Sequence, residues 1–380
     1  MKITDTWISH EGTQALCAAL VGAGYRALFV GGCVRNALMG RAVSDIDIAT
    51  DALPENVTNV AKNAGFKVIP TGVEHGTVTV IAKGLPHEVT SFRRDIETDG
   101  RHATVAFSTD IAEDAARRDF TMNALYAEAD GTVIDPLGGL PDLLARHLRF
   151  VGDPEARIRE DYLRILRFFR FYAIYGDPNQ GIDPDGLAAC AANLDGISGL
   201  SRERVGSEIR KLLGAPDPAP ALASMVQSGV LAQVLPFADP KSVALMVHFE
   251  NGLTPNWLAR LALMGGENPS DTLRLSRAET TTYGHIRDEL GSATRPAALG
   301  WRFGTDTATA VVLARAALFE TPPPAHWQAD IARGTKAVCP VSAADLMPAL
   351  QGPALGQKLR EIEARWLASD LYLSKAEALS

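Results

Sequence analysis

Leu28-Phe-Val-Gly-Gly-Cys-Val-Arg-Asn-Ala-Leu-Met-Gly40 begins as an apolar strand pattern and continues through two glycines into a helical pattern. Ser44-Asp-Ile-Asp-Ile48 then forms a second strand pattern with two aspartates. Since residues i and i+2 of a strand point to one face, Asp45 and Asp47 present their carboxylates side by side. Two like charges that close require a cation, and carboxylate oxygens suit Mg²⁺, which also takes water and substrate phosphates. We therefore predict that Asp45 and Asp47 are catalytic and bind Mg²⁺.

The two glycines between the strand and the helix predict a phosphate-binding turn. Gly31 and Gly32 allow backbone N–H groups to approach an anion, and a helix N-terminus favours negative charge. Arg35 follows on the same helix, and we predict that Gly31, Gly32 and Arg35 bind the nucleotide. Metal-binding carboxylates beside a phosphate site indicate nucleotidyl transfer.

This arrangement resembles the nucleotidyltransferases of the polymerase-β superfamily, in particular the class II CCA-adding enzymes and bacterial poly(A) polymerases. The resemblance extends over residues 25–215, with the motifs in the family's order. It implies an α+β fold: an N-terminal polymerase-β-like head with a mixed sheet and helices, followed by an all-helical neck, body and tail. The chain departs from the family at Asn36, where an aspartate is usual, and we do not expect Asn36 to bind metal.

Three domains are predicted: a catalytic head at 1–140, a neck for base recognition at 141–215, and a body and tail for tRNA binding at 216–380. Alternation and β-branched residues predict five strands in the head, and Pro and Asp at first turns mark its helices. The strands are Ala27–Val30, Asp45–Ala49, Thr77–Ala82, Glu88–Phe92 and Ala124–Glu128. The helices are Pro54–Ala64 and Asp110–Arg117, and later 154–175, 184–194, 201–214 and 217–233.

The amino-acid composition indicates a globular protein that does not span a membrane. The 380 residues are 46% hydrophobic and 22% charged, as in globular proteins. No segment reaches the roughly 18 apolar residues of a membrane span, so no membrane partner is expected. The four scattered cysteines favour reduced thiols and a cytoplasmic location. The net charge of −8 disfavours nucleic acid, but seven arginines between 146 and 170 form a local basic segment compatible with RNA: Arg146, Arg149, Arg157, Arg159, Arg164, Arg167 and Arg170.

A two-metal displacement usually uses a third acid. Glu88 lies in a strand pattern, as expected of a neighbour in the same sheet, but Glu74 and Asp51 are rivals on composition. The resemblance favours Glu88, since class II enzymes carry an acid before a similar Val-Thr-x-x-Arg segment.

The segment Arg93–His102 is charged, contains glycine and has no apolar period, which predicts a loop. A surface loop without function is one interpretation. The resemblance implies the other: the flexible loop that CCA-adding enzymes use when they change from C to A addition.

Arg117-Arg-Asp-Phe-Thr-Met-Asn-Ala124 is similar to the family's Arg-Arg-Asp-x-x-x-Asn motif. An arginine can clamp triphosphate oxygens, and Asn123 lies four residues after Asp119, on the same face if the segment is helical. We expect Arg118, Asp119 and Asn123 to bind the nucleotide, with the Asn123 amide at the ribose 2′-OH. The alternative is a helix cap at Asp119 with a buried asparagine.

Glu160-Asp-Tyr-Leu-Arg-Ile-Leu-Arg-Phe-Phe-Arg170 matches the family's Glu-Asp-x-x-Arg motif. An aspartate accepts from cytosine N4 or adenine N6, and an arginine donates to C N3 and O2 or to A N1. Uracil and guanine present the opposite pattern. Asp161, Arg164, Arg167 and Arg170 are predicted on one helix face as nucleotide-binding residues. An ordinary i,i+3 salt bridge is the alternative.

Ser201 is predicted to cap the helix that follows, which is similar to the family's last neck motif.

The resemblance as a whole implies a CCA-adding tRNA nucleotidyltransferase that uses Mg²⁺, with tRNA, CTP and ATP as partners. A poly(A) polymerase of the same class shares every motif. A catalytically silent RNA-binding relative is the third possibility, against which the intact Asp45, Asp47 and Glu88 argue.

Overall fold

The computed structural model describes residues 1–70, 72, 76–99 and 102–380. Met1–Leu200 and Ser224–Gln233 form one compact unit, and Ser201–Ala223 with Val234–Ser380 form the other. The predicted α+β class is confirmed, because a mixed sheet with helices is followed by a mostly helical remainder. The domain boundaries proposed at 140 and 215 stay predictions.

The first unit is built on a mixed sheet of seven described strands: β1 (Leu28–Val30), β2 (Ile46–Thr50), β3 (Lys67–Ile69), β4 (Thr77–Ala82), β5 (Leu85–Ser91), β8 (Tyr126–Ala127) and β9 (Val133–Ile134). The strand order is β3-β4-β5-β2-β1-β8-β9. Among the described residues, only β2 and β5 pair in parallel, and the other neighbouring strands are antiparallel. A separate two-stranded hairpin consists of β6 (Arg93–Asp99) and β7 (His102–Phe107).

Most of the predicted helices are confirmed, with their ends shifted by one or two residues. Those of the first 200 residues are α1 (Glu11–Gly22), α2 (Gly32–Leu38), α3 (Pro54–Asn63), α4 (Ile111–Ala116), α5 (Leu140–Ala145), α6 (Pro154–Glu160), α7 (Leu163–Tyr175) and α8 (Pro184–Ala192). Later helices are α9 (Arg202–Leu213), α10 (Ala219–Gln227), α11 (Val230–Val234), α12 (Val243–Phe249), α13 (Trp257–Met264), α14 (Pro269–Thr272), α15 (Arg277–Leu290), α16 (Pro296–Leu318), α17 (Trp327–Lys336), α18 (Ala343–Leu346), α19 (Gly352–Ala368) and α20 (Lys375–Leu379).

Two predicted helices are wrong in their continuity. The pattern over 154–175 is interrupted at Asp161, whose backbone is extended (φ −156°, ψ 104°). Its carboxylate accepts from the Leu163 N–H (3.1 Å), and such local bonds compete with helix formation. The pattern over 217–233 likewise divides into α10 and α11 around Gly229, where φ is +78°.

The predicted loop over Arg93–His102 is also wrong in part, since backbone pairing joins Arg93–Asp99 to His102–Phe107 as a hairpin. The sequence of the first strand, Arg93–Asp99, is almost entirely charged or polar, and so it shows no apolar alternation. Gly100 and Arg101 lie outside the described residues.

The central strand β1 is buried along its whole length. Leu28 and Val30 pack with Ala49, Phe92 and Tyr126 in one apolar cluster. This core supports the end of β1, which leads into Gly31 and Gly32. It also supports the start of β2, where Asp45 and Asp47 lie.

A buried arginine organises part of the second unit. Arg260 on α13 is 1% exposed and pairs with the Glu250 carboxylate. Its guanidinium also donates to the carbonyls of Leu213 (2.7 Å), the last residue of α9, and Ala215 (2.5 Å), just beyond it. Because a buried charge is tolerated only when it is paired and hydrogen-bonded, this contact holds α13 against the end of α9. Ser201 caps α9 as predicted, through the Arg204 N–H (3.4 Å).

In the described part of the chain, no helix has both the length and the apolar character needed to cross a bilayer.

Candidate active site

The three predicted acids lie at adjacent strands. Asp47 on β2 is the direct partner of Glu88 on the parallel strand β5. Glu88 thus lies within its strand instead of at the start, and the expectation that it neighbours the aspartates in one sheet is confirmed. Asp45 immediately precedes β2, is exposed, and accepts from the Ser44 hydroxyl (2.9 Å).

The negative charge of Asp47 is incompletely compensated by its surroundings. Burial, followed by the charge of Glu88, raises its pKa to about 6, although Arg118 and Arg35 act in the opposite direction. A neighbouring like charge disfavours ionisation of the buried Asp47 carboxyl. A cation bound at Asp47 would remove that penalty.

The donor set suits a hard cation held partly by other ligands. Across residues 1–70, 72, 76–99 and 102–380, no three His, Cys, Asp or Glu side chains converge into a metal site by themselves. Mg²⁺ commonly binds through one or two carboxylates with water and substrate phosphates. Asp45 and Asp47 fit such a site, with the remaining positions available to water and phosphate.

Gly31 occupies a backbone conformation that other residues rarely adopt, with φ +70° and ψ −119°. Its N–H donates to the Leu125 carbonyl (3.2 Å). A Cβ atom at position 31 would lie 3.3 Å from Arg118 Nη1, so the glycine leaves room for the guanidinium. Gly32 begins α2 directly afterwards.

Arg118 is held by a buried acid that the sequence did not reveal as a site residue. Its Nη2 donates to Asp114 Oδ2 (2.9 Å) and its Nε to the Tyr126 hydroxyl (3.1 Å). Burial by itself would raise the pKa of Asp114, but Arg118 and Arg117 outweigh it and lower the pKa to about 2. The spacings of three and four residues from Asp114 to the two arginines were the signal that could have predicted this cluster.

Arg35 is 6% exposed, and its donors are engaged within the protein. Nη1 donates to Asn123 Oδ1, and Nη2 donates to the Tyr175 hydroxyl (2.7 Å). Nη2 and Nε also donate to Asn36 Oδ1 (2.9 and 3.2 Å). These contacts hold Arg35 among α2, α7 and the turn at Asn123.

Asn36 uses both ends of its amide. Besides accepting from Arg35, it donates through Nδ2 to the Ala42 carbonyl (3.1 Å). A carboxylate could not make that second bond. This second bond accounts for an asparagine at position 36 in this chain.

Asp119 and Asn123 are brought together, but not on a helix face as predicted. Asn123 ends a 3-10 helix, Thr121–Asn123, and its Nδ2 donates across the turn to Asp119 Oδ1 (2.8 Å). Arg167 of α7 donates to the other oxygen, with its Nε at 2.8 Å from Oδ2. Asp119 is 9% exposed, so these partners compensate a buried charge.

The predicted line of four residues on one helix face is wrong for Asp161, which lies in the break between α6 and α7. Arg164, Arg167 and Arg170 do lie on α7. Arg164 is bound by the Glu160 carboxylate and donates to the carbonyls of Arg157 (2.8 Å) and Arg117 (3.2 Å). Arg170 lies with its Cζ atom 4.5 Å from the centre of the Phe171 ring.

The rivals of Glu88 are differently placed. Asp51 accepts from the Arg26 N–H (2.7 Å) beside β1, which gives it a structural role. Glu74 lies outside the described residues. The loop predicted at Arg93–His102 includes Gly100 and Arg101, which also lie outside the described residues.

Two family models match the chain. Residues 27–149 match the model described as "Poly A polymerase head domain", and residues 181–242 match "Probable RNA and SrmB- binding site of polymerase A". The first covers the sheet and the acids described above.

A curated relative extends this similarity to most of the molecule. The CCA-adding enzyme of Geobacillus stearothermophilus is 34% identical over 366 residues, which are 91% of this chain and 89% of the relative. The chain belongs to the CCA-adding enzyme family. This confirms the family predicted from the motifs, whose nucleotidyltransferases generally use a divalent metal ion.

Other family members agree in sequence and structure. Human mitochondrial CCA tRNA nucleotidyltransferase 1 is 42% identical over 204 residues, 53% of this chain and 47% of the human protein. The chain thus matches about half the length of the mitochondrial members. The crystal structure of the Bacillus stearothermophilus CCA-adding enzyme in complex with CTP superposes with a TM-score of 0.77 at 31% identity, covering 95% of this chain and 93% of that one.

Proposed function

We propose that this protein is a CCA-adding tRNA nucleotidyltransferase, which adds C, C and A to the tRNA 3′ end from CTP and ATP. The observation that carries the proposal is the similarity to a CCA-adding enzyme over about nine-tenths of both chains (91% and 89%). The pairing of Asp47 with Glu88 beside Asp45 supports it, because neighbouring carboxylates can hold the divalent cation that nucleotidyl transfer uses.

In the proposed reaction the tRNA 3′-OH attacks the α-phosphate of the nucleotide. A new P–O bond forms as the bond to pyrophosphate breaks. Asp45 and Asp47 would hold Mg²⁺, which when bound stabilises the attacking and leaving oxygens. Glu88, opposite Asp47, completes the acidic surface and assists removal of the proton from the attacking hydroxyl.

One group of residues is proposed to bind the triphosphate, and a second group to bind the ribose. Gly31 and Gly32 supply a backbone surface for the triphosphate, and Arg118, whose Nη1 faces Gly31, supplies positive charge. Asn123 directs its amide toward the ribose 2′-OH. Asp119 accepts from Asn123 and from Arg167, and so holds both of them in place.

Base selection is assigned to Asp161 and Arg164, on either side of the start of α7. The Asp161 carboxylate would accept from the exocyclic amine of C or A, and Arg164 would donate to the neighbouring ring nitrogen. Arg167 and Arg170 continue this basic side of the helix. A site whose polar groups are unpaired with U or G would discriminate strongly.

The partners are tRNA, CTP and ATP, with the helical body and tail binding tRNA. A cytoplasmic location completes the proposal. It is supported by the four free cysteines, Cys17, Cys33, Cys190 and Cys339, of which the first three are buried.

The decisive assay combines purified protein and Mg²⁺ with a tRNA that lacks its 3′ end, and supplies CTP and ATP separately and together. We expect two added nucleotides with CTP and a third with both, measured at single-nucleotide resolution. Asp47→Ala should abolish addition while tRNA affinity is kept. A homopolymer made from ATP alone would identify a poly(A) polymerase, and tRNA binding without addition would identify a silent relative.

A further inference from the structure

Tyr175, the last residue of α7, belongs to a closed circuit of contacting side chains that includes Arg35 and Asn123. This circuit is called the ring below. Arg35 Nη2 donates to its hydroxyl (2.7 Å), and the Arg35 Cζ atom lies 4.1 Å from the centre of its ring. An aromatic ring and a hydroxyl therefore hold the same guanidinium. A cation over an aromatic face is stabilised most where both are removed from water, and Arg35 is buried.

The ring continues along one face of α7. Phe171 lies four residues before Tyr175, with the two ring centres 5.3 Å apart. Arg167 lies four residues earlier again, and its Cζ atom is 5.2 Å from the centre of the Phe171 ring. The spacings i, i+4 and i+8 place the three side chains on one face of the helix.

The other side of the ring passes through the turn that carries Asn123. Arg167 donates to Asp119, Asp119 accepts from the Asn123 amide, and Asn123 accepts from Arg35. Every link in this circuit is a hydrogen bond or an aromatic contact between buried or half-buried side chains. The orientation of the Asn123 amide thus depends on Arg35, which Tyr175 holds.

Tyr175 also anchors the loop that leads to the metal-binding strand. The Arg41 Cζ atom lies 5.0 Å from its ring centre, and Arg41 Nη2 donates to the Ile174 carbonyl (2.7 Å). Arg41 precedes Asp45 by four residues. The C-terminal end of α7 is therefore attached to two arginines, one before and one after the end of α2.

We propose that Tyr175 is a positioning residue for sugar selection: by holding Arg35 it orients the Asn123 amide toward the ribose 2′-OH. Arg35 accordingly acts through Asn123 and not as a triphosphate ligand. This inference rests on the proposed function, since it assigns to that site its preference for ribonucleotides. A role limited to stability would not change the ratio of affinities for CTP and dCTP.

The test measures dissociation constants of CTP and dCTP by calorimetry with Mg²⁺, and runs the tRNA addition assay in parallel. Tyr175→Leu should reduce the preference for CTP about three- to tenfold, as expected for one misplaced hydrogen bond. Asn123→Ala should have a similar effect. Combining the two substitutions should add nothing further, because both act on the same bond.

Two further variants separate positioning from stability. Tyr175→Phe keeps the ring and loses the hydroxyl, and we expect an intermediate preference. Tyr172→Leu alters an aromatic residue one turn earlier on α7 that packs against Gly176; it should change the melting temperature without changing the preference.

An unchanged preference for CTP over dCTP in Tyr175→Leu would overturn the inference. An equal loss of that preference in Tyr172→Leu would overturn it too. Independent, multiplying effects of Tyr175→Leu and Asn123→Ala would also overturn it. Failure of the parent to extend tRNA would instead refute the proposed function, because the nucleotide affinities are measured without tRNA.

Discussion

Asp47 and Glu88 lie directly opposite each other on the only pair of parallel neighbours in the sheet of the first unit, as far as the structure describes it. Two carboxylates at one register position repel each other, and Asp47 is also partly buried. The pKa of Asp47 is consequently raised to about 6, first by burial and second by Glu88. The charged Asp47 carboxylate beside Glu88 therefore lowers the stability of the metal-free protein.

Asp47→Asn should stabilise the metal-free protein in a pH-dependent way. A raised carboxyl pKa means that the folded protein binds the proton more readily than the unfolded chain, so stability falls as pH rises from about 4 through about 6. A pKa difference of one corresponds to about 1.4 kcal/mol, and partial exposure reduces the effect. We expect a gain of about 1–2 kcal/mol at pH 8 and almost none at pH 4.

The measurement is urea unfolding at both pH values with EDTA present. Asp45→Asn is the matched control, because Asp45 is exposed and precedes the strand; its effect should be small at either pH. Equal stabilisation by Asp47→Asn at pH 4 and pH 8 would show that charge is not the cause.

Asp114→Asn should destabilise the protein by about 3 kcal/mol at pH 7, since breaking one side of a buried ion pair leaves charges uncompensated. Asp114 is 1% exposed and binds Arg117, Arg118 and Tyr126. Its pKa is lowered to about 2, so its contribution is present above about pH 4 and decreases as pH falls toward 2.

Chemical unfolding of the parent and Asp114→Asn across this pH range would check the prediction. Asp185→Asn, an exposed aspartate in the first turn of α8, is the control and should stay within about 0.5 kcal/mol of the parent. If Asp114→Asn were as mild as the control, Arg118 would not depend on Asp114 for its position.

The carboxylate site could be predicted because it depends on local rules. Alternation along a strand predicts Asp45 and Asp47 on one face. The strand pattern at Glu88 is compatible with a neighbour in the same sheet, and the family resemblance favoured Glu88 over its rivals. The contacts of Arg35 with Asn123 and Tyr175 could not be predicted this way, because the partners lie 88 and 140 residues away. Only the tertiary fold brings those side chains together.

The break at Asp161 was missed for a different reason. The apolar spacing on either side of it is helical, and the interruption comes from one side-chain bond to the Leu163 N–H. The hairpin at Arg93–Phe107 was missed because its first strand, Arg93–Asp99, is almost entirely charged or polar. A strand with polar residues on both faces has no apolar alternation by which the sequence would reveal it.

Shortening the β6–β7 hairpin at Ile96–His102 should spare C addition and impair addition of the terminal A. The segment follows directly after β5, which carries Glu88, and it corresponds to the element that the family resemblance associates with the change from C to A. Product sizing on tRNA ending before its CCA, and on tRNA ending in CC, would check this. Equal losses of C and A addition would make the hairpin a general structural element.

Asp161→Ala combined with Arg164→Ala should relax base choice without abolishing the reaction. The two residues adjoin the start of α7, whereas the proposed metal ligands lie at β2, so the chemistry should survive. Glu160 keeps Arg157 as a partner when Arg164 is removed, so the charge of Glu160 stays compensated. Discrimination should therefore fall more than stability.

Single-nucleotide incorporation with each of the four nucleoside triphosphates measures the effect. We expect UTP and GTP to be incorporated at rates approaching the double variant's own rate with CTP, with an unfolding midpoint close to that of the parent. Arg159→Ala is the control, because its side chain is 61% exposed and pairs only with Glu155 among the contacts of the described residues. If the double variant kept the parent's preference for CTP and ATP, base selection would lie elsewhere and the assignment of Asp161 and Arg164 would be wrong.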